Sequence, residues 1–145
     1  MRDRAPIQNV AVFVGIGFVV AGILGFVPGV TSSYDQLRFA GHTSDAQLFG
    51  IFETSVLNNV ALILFGIAGV ALARTTDDAR TYLVGGGLVV LVLFVYGAIW
   101  HGETGTNWIP VNWADNLVHL ALGVGMVSAG ILLSRGVVRR TAPAV

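Results

Sequence analysis

The sequence contains neither cysteine nor lysine. Without cysteine, disulfides, thiolate zinc sites and iron–sulfur ligation are excluded. Without lysine there is no Schiff-base amine and no phosphate-loop lysine; all eight cationic side chains are arginine. Charge of either sign is scarce. Only 11% of the 145 residues are charged, against about 25% in a soluble domain. The formal net charge is zero, and no basic run suggests a nucleic-acid partner.

Apolar residues are plentiful, at 54% of the chain with a mean hydropathy of +0.77. Four stretches carry no formal charge: Val10 to Val27, Thr54 to Ala73, Thr81 to Trp100, and Asn116 to Ser134. Each is about 18–20 residues, enough to cross a hydrocarbon core of about 30 Å as a helix. A soluble protein with four such helices would lack the polar surface to cover them. The expected architecture is all-α, a single transmembrane domain over 1–145, with spans at about 10–28, 52–73, 81–100 and 114–134. "MRDRAP" resembles the start of a signal peptide, but the apolar run after it is too long and ends in "GFVPGV", so it reads as a retained first span.

The arginines assign sides. Arg2, Arg4, Arg74, Arg80, Arg135, Arg139 and Arg140 fall in the N-terminus, the 74–80 turn and the C-terminal tail, leaving only Arg38 for the 28–53 and 101–115 loops. Positive residues stay cytoplasmic. This predicts a multi-pass membrane protein with both termini cytoplasmic and both longer loops outside. Trp100, Trp108 and Trp113 flank the second outer loop, as an interfacial aromatic belt would.

An internal duplication is visible. "NNVALILFGIAG" (58–69) aligns with "DNLVHLALGVGM" (115–126), pairing Asn59 with Asn116, Gly66 with Gly123, and Leu62 with His119. "VGIGFVV" (14–20) resembles "VGGGLVV" (84–90). The reading is two tandem two-helix hairpins in a parallel repeat. The 19 glycines cluster in the spans, and small residues let helices approach closely in lipid. A tight four-helix bundle follows, without a wide aqueous pore.

"GILGFVPGVTSSYDQLRFAG", "SVLNNVALILFGIAG" and "PVNWADNLVHLALGVGM" closely resemble an actinobacterial membrane family, Domain of Unknown Function 4383. The resemblance covers about residues 8–134 and implies four spans, but no activity. Many members of the family look like "LHNLVHLLFG" where this chain has "LNNVALILFG". Two histidines of that pattern are therefore Asn58 and Leu62 here, and only His119 of the second half is kept.

The outer ends of the spans gather His42, Glu53, Asn58, Asn59, His101, Glu103, Asn112, Asp115, Asn116 and His119. Asp115 has an ordinary reading as part of a helix cap, either itself the cap or at the third helical position behind Asn112. Asn112, Asn116, His119 and Gly123 form one stripe. His119 lies roughly 10 Å along the helix from Asn112. Its ordinary role is a hydrogen bond across the bundle, to Asn59 or Glu53. An ionisable residue at that depth also raises the expectation of a ligand or proton-relay role.

Two functional classes stay open. The first is a small non-enzymatic accessory, structural or ligand-binding subunit with an outer polar pocket formed by Glu53, Asn58, Asn59, Asn116 and His119. It needs no cofactor. Its partner is the lipid bilayer, with a membrane protein or a second copy as further candidates. The second is a metal-dependent or proton-handling enzyme or transporter centred on His119, with His101, Glu103 and Asp115 completing a divalent-metal site. A bis-histidine haem is disfavoured because His119 is alone within a span. Elsewhere, "RTTDDAR" reads as a solvated turn. "YDQLRF" reads as a short amphipathic surface helix or packed cap, and Gly85, Gly86 and Gly87 lie inside a span, where a phosphate loop is implausible.

Overall fold

The structure, a computed structural model, describes residues 4–41, 44–100 and 109–141, with side chains as far as Ser134 in the last helix. It is mostly helical: α1 Pro6–Leu24, α2 Val56–Leu72, α3 Thr76–Ile99 and α4 Trp113–Thr141. Three segments, Pro6–Leu24, Thr76–Ile99 and Trp113–Ser134, are long and apolar enough to cross a membrane; Val56–Leu72 is apolar but shorter, at 17 residues. Large apolar side chains are exposed along all four helices, among them Phe13, Ile16, Leu64, Val92 and Leu132. Water does not tolerate such continuous apolar faces.

Local chemistry sets the helix ends. Pro6 opens α1 behind Ala5, whose N–H donates to Gln8 Oε1 (2.9 Å). The Gln8 amide then donates to the carbonyls of Ala73 (3.0 Å) and Arg74 (2.8 Å), so the start of α1 satisfies the end of α2. At the other end of α1, Thr31 Oγ1 donates to the carbonyls of Leu24 (3.2 Å) and Gly25 (3.1 Å). Ser55 caps α2 by accepting from the Asn58 N–H (3.2 Å). Thr75 caps α3 by accepting from the Asp78 N–H (3.1 Å), and its hydroxyl donates to the Asp78 carboxylate (2.8 Å). Residues 76–80 of "RTTDDAR" are thus already helical, and the turn is shorter than the sequence suggests.

The 28–53 segment departs from the all-α expectation. It folds into a three-stranded antiparallel sheet, β1 Thr31–Ser32, β2 Gln47–Leu48 and β3 Phe52–Glu53, in the order β1-β2-β3. The β2–β3 turn holds Phe49 at φ 56° and Gly50 at φ 69°. Strands of two residues carry no periodic signal, which is why the sequence does not betray them. "YDQLRF" is likewise not a surface helix. Only Tyr34–Gln36 forms a single 3-10 turn, and the backbone is extended at Leu37. Arg38 and Phe39 then offer their carbonyls to the Val56 and Leu57 N–H groups (3.0 and 2.9 Å), two of the free donors at the start of α2.

The helices pack as two hairpins, α1 along α2 and α3 along α4, with sparser contact between the pairs. Glycines permit both approaches. A Cβ on Gly15 would lie 2.7 Å from the Gly66 carbonyl oxygen and 2.9 Å from the Val70 nitrogen. A Cβ on Gly66 would meet the Gly15 carbonyl and lie 2.7 Å from the Val19 nitrogen. In the second hairpin a Cβ on Gly87 would sit 3.0 Å from the Gly123 carbonyl, and one on Gly123 would sit 2.6 Å from Leu91. Toward the sheet end, Gly25 lies against the Asn59 amide and Gly97 against the Asn116 amide. Within the first hairpin Phe18 meets Phe65 edge-on (centroids 4.9 Å apart), and between the hairpins Phe65 meets Tyr82 (5.2 Å). Ile7, Ala11, Ala79 and Leu83 belong to the buried core that continues from there.

Gly66→Ala should lower the unfolding free energy by about 1–3 kcal/mol, because the added methyl meets backbone that cannot swing away. Gly125→Ala, where a Cβ meets nothing within 4 Å, should be neutral or mildly stabilising. Thermal unfolding in a mild detergent compares the two, and equal losses in both would contradict the close-approach account.

Candidate functional site

The polar start of α4 is a connector before it is anything else. Asn112 is the cap: its Oδ1 accepts from the N–H groups of Ala114 (2.8 Å) and Asp115 (3.1 Å). Asp115, at the third helical position, returns the bond by accepting from the Asn112 N–H at Oδ2 (3.0 Å). The same Oδ2 accepts from the Glu53 N–H in β3 (3.1 Å), and the Asn112 amide donates to the Ile51 carbonyl (2.6 Å). Reciprocal capping and two cross-links to the sheet therefore use the polarity of "NWAD". They tie the first hairpin's sheet to the second hairpin.

The expected polar pocket divides in two. Asn59 is fully buried; its Oδ1 accepts from the Thr54 hydroxyl (2.6 Å), and its Nδ2 has no partner among the described residues. Asn116 Oδ1 is buried without a partner among the described residues. Both amides face glycines inside their own hairpins, not a shared pocket. One residue along a helix is a turn of about 100°, so Asn58 points elsewhere than Asn59. The stripe of Asn112, Asn116, His119 and Gly123 is divided as well. Asn116 and Gly123 face α3, while His119 lines an inter-hairpin cavity with Asp115, Val118 and Leu122.

That cavity, of about 550 Å³, is bounded by α1, α2, α4 and the sheet, with Leu93 of α3 also on its wall. Its polar side chains, Glu53, Asn58, Asp115 and His119, lie toward the sheet, and Thr54 and Ser55 line it beside them. Its apolar wall includes Phe13, Gly17, Phe18, Ala61, Leu62 and Leu122. Along α4 the wall from Asp115 to Leu122 is about 10 Å deep at 1.5 Å per residue. Phe13, Phe49 and Leu57 line it while remaining exposed, so it opens sideways as well as toward the sheet. His119 Nδ1 is buried and has no partner among the described residues, so neither Asn59 nor Glu53 serves it. Asn58 and Leu62 line this same cavity. The sequence named most of its polar members, but not the apolar wall from α1, which spans distant parts of the chain.

His42, His101 and Glu103 lie outside the described residues. Among the described residues no group of three or more histidine, aspartate or glutamate side chains is arranged to hold a metal ion. Of the proposed metal set, Asp115 and His119 share the cavity wall, and Asp115 Oδ2 is committed to two backbone N–H groups.

Burial raises the pKa of Glu53 above its ordinary value, and the negative charge of Asp45 adds to the rise. A raised carboxyl pKa makes the folded state favoured at low pH and penalised as pH rises through the folded value. Glu53→Gln should therefore raise the thermal midpoint relative to the parent at pH 7, with the difference vanishing below about pH 4. Melting curves of both proteins across that range check the sign. A stabilisation that persists at low pH would contradict it.

The sequence model of one family, described as a domain of unknown function (DUF4383), matches residues 8–132. No curated protein and no solved structure matches the chain.

Proposed function

The chain belongs to the family of the domain of unknown function DUF4383, and we propose that it is a four-span plasma-membrane protein that binds a small amphiphilic molecule between two tandem hairpins. Non-enzymatic binding, by an accessory subunit of a larger membrane assembly or by the chain alone, is the function this describes. One observation carries it: a cavity of about 550 Å³ with a polar end at Glu53, Asn58, Asp115 and His119 and an apolar body. Drug-sized ligands occupy pockets of about 300–1,000 Å³ lined mostly by apolar groups with a few polar ones.

The duplication supports the two-hairpin reading. Gly15 faces Gly66 and Gly25 faces Asn59; Gly87 faces Gly123 and Gly97 faces Asn116. The α2 and α4 partners are 57 residues apart in both pairs (59 to 116, 66 to 123). The α1 and α3 partners are 72 apart in both (15 to 87, 25 to 97). Packing thus supports a register of 72 for the first and third spans, two residues from the alignment of 14–20 with 84–90. A parallel repeat puts the sheet and the start of α4 on one side, which the arginine distribution makes the outside.

Two experiments test the proposal. Native mass spectrometry of protein extracted in a mild detergent should show a retained small molecule. Gly17→Phe should lose it, since a Cβ at Gly17 meets nothing within 4 Å and the position lines the cavity. Absence of any bound molecule, or retention by the filled variant, would count against a binding cavity.

Orientation is tested separately. The chain has no cysteine, so single cysteines at Gln36 and at Arg80 report without background. An impermeant maleimide added to intact cells should label the first and spare the second. The reverse pattern would invert the topology.

A further inference from the structure

The cavity's polar end has an unusual balance. Glu53 and Asp115 bring carboxyl groups, His119 brings a buried Nδ1 without a partner among the described residues, and no arginine is among the described lining residues. Carboxylates and an unprotonated imidazole nitrogen are hydrogen-bond acceptors. Negative charge withdrawn from water without a cation nearby is costly, and attraction to a cation strengthens as the local dielectric falls. The raised pKa of Glu53, with burial as its main cause and Asp45 as the second, agrees with a carboxyl group that lacks a counter-charge. An anionic head would add to the repulsion. A head bearing several N–H donors and a positive charge would answer all three groups.

Resting on the binding function proposed above, we propose that the cavity takes a single-chain amphiphile with a primary ammonium head. The ammonium pairs with Glu53 at the polar end, which Asp115 and His119 also line, and its chain runs along the wall toward Phe18 and Leu122. Exposed Phe13 and Leu57 mark the side through which the chain enters from the bilayer.

The test compares dodecylamine, dodecanol and dodecanoate, each titrated into the full-length protein in a non-ionic detergent and followed by native mass spectrometry. Dodecylamine should half-saturate the protein at a concentration about tenfold or more below the other two, the scale expected of one buried charge pairing. Glu53→Gln should erase most of that preference, and Glu53→Asp, which keeps the charge, should retain it. Gly17→Phe should weaken the binding of all three. If dodecanol or dodecanoate binds the parent as tightly as the amine and Gly17→Phe still blocks them, the ammonium assignment is wrong while the binding cavity stands. If no probe binds saturably, or Gly17→Phe leaves amine binding unchanged, the cavity reading fails and this inference fails with it.

Discussion

Backbone meeting backbone at glycine is the contact on which the rest of the structure depends. In lipid, apolar side chains gain little by leaving their surroundings for one another, so helices associate through close packing. Here each hairpin closes around one glycine–glycine contact, Gly15 on Gly66 and Gly87 on Gly123, and one asparagine laid against a glycine, Asn59 on Gly25 and Asn116 on Gly97. The asparagines occupy space that a side chain on the opposite helix would need. Their remaining polar atoms, Asn59 Nδ2 and Asn116 Oδ1, are buried without partners among the described residues. A methyl at Gly25 or Gly97 would overlap an amide. Small and polar residues are therefore locked together at these positions, and each hairpin behaves as a unit.

Closing each hairpin so tightly leaves the hairpins free to meet loosely. They touch through Phe65 and Tyr82 and through the core that includes Ile7, Ala79 and Leu83. Toward the sheet they are joined by hydrogen bonds: Glu53 N–H to Asp115, and the Asn112 amide to the Ile51 carbonyl. The cavity lies between these attachments. Its polar end is made by the same residues that tie sheet to helix, so the chemistry of the pocket and the fastening of the hairpins share Asp115 and the Glu53 backbone. A bound head at this end would meet groups already held in place by capping.

Much of the helical architecture is legible in the sequence because long apolar helices leave long uncharged runs, and composition reports their length directly. The cap at Asn112 and Asp115 was legible because capping is a local code. Three features were not. The sheet escaped notice because its strands are two residues long and are held by turn geometry at Phe49 and Gly50. The pairing of Arg38 and Phe39 carbonyls with the start of α2 joins segments whose relation no pattern encodes. Asn59 and Asn116 were grouped with Asn58 and His119 by their shared depth. Depth is read from position along a helix, but facing depends on the angle around it, and neighbours on a helix face different ways.

The pairing of the two hairpins sharpens what is particular to the cavity. Two equivalent hairpins would offer equivalent residues to each other, yet the first brings Leu62 to the cavity and the second brings His119. At Leu62 the wall is apolar while His119 brings an imidazole, so the two hairpins contribute unlike groups to the cavity. The sheet deepens the asymmetry. Among the described residues its strands all belong to the first hairpin, and Glu53 of β3 joins Asp115 at the start of the second in lining the cavity. A symmetric pair of hairpins would make a seam with no direction. Leu62 against His119, with Glu53 above one end, gives the seam a polar end and an apolar end, and only a molecule with the same polarity along its length matches both.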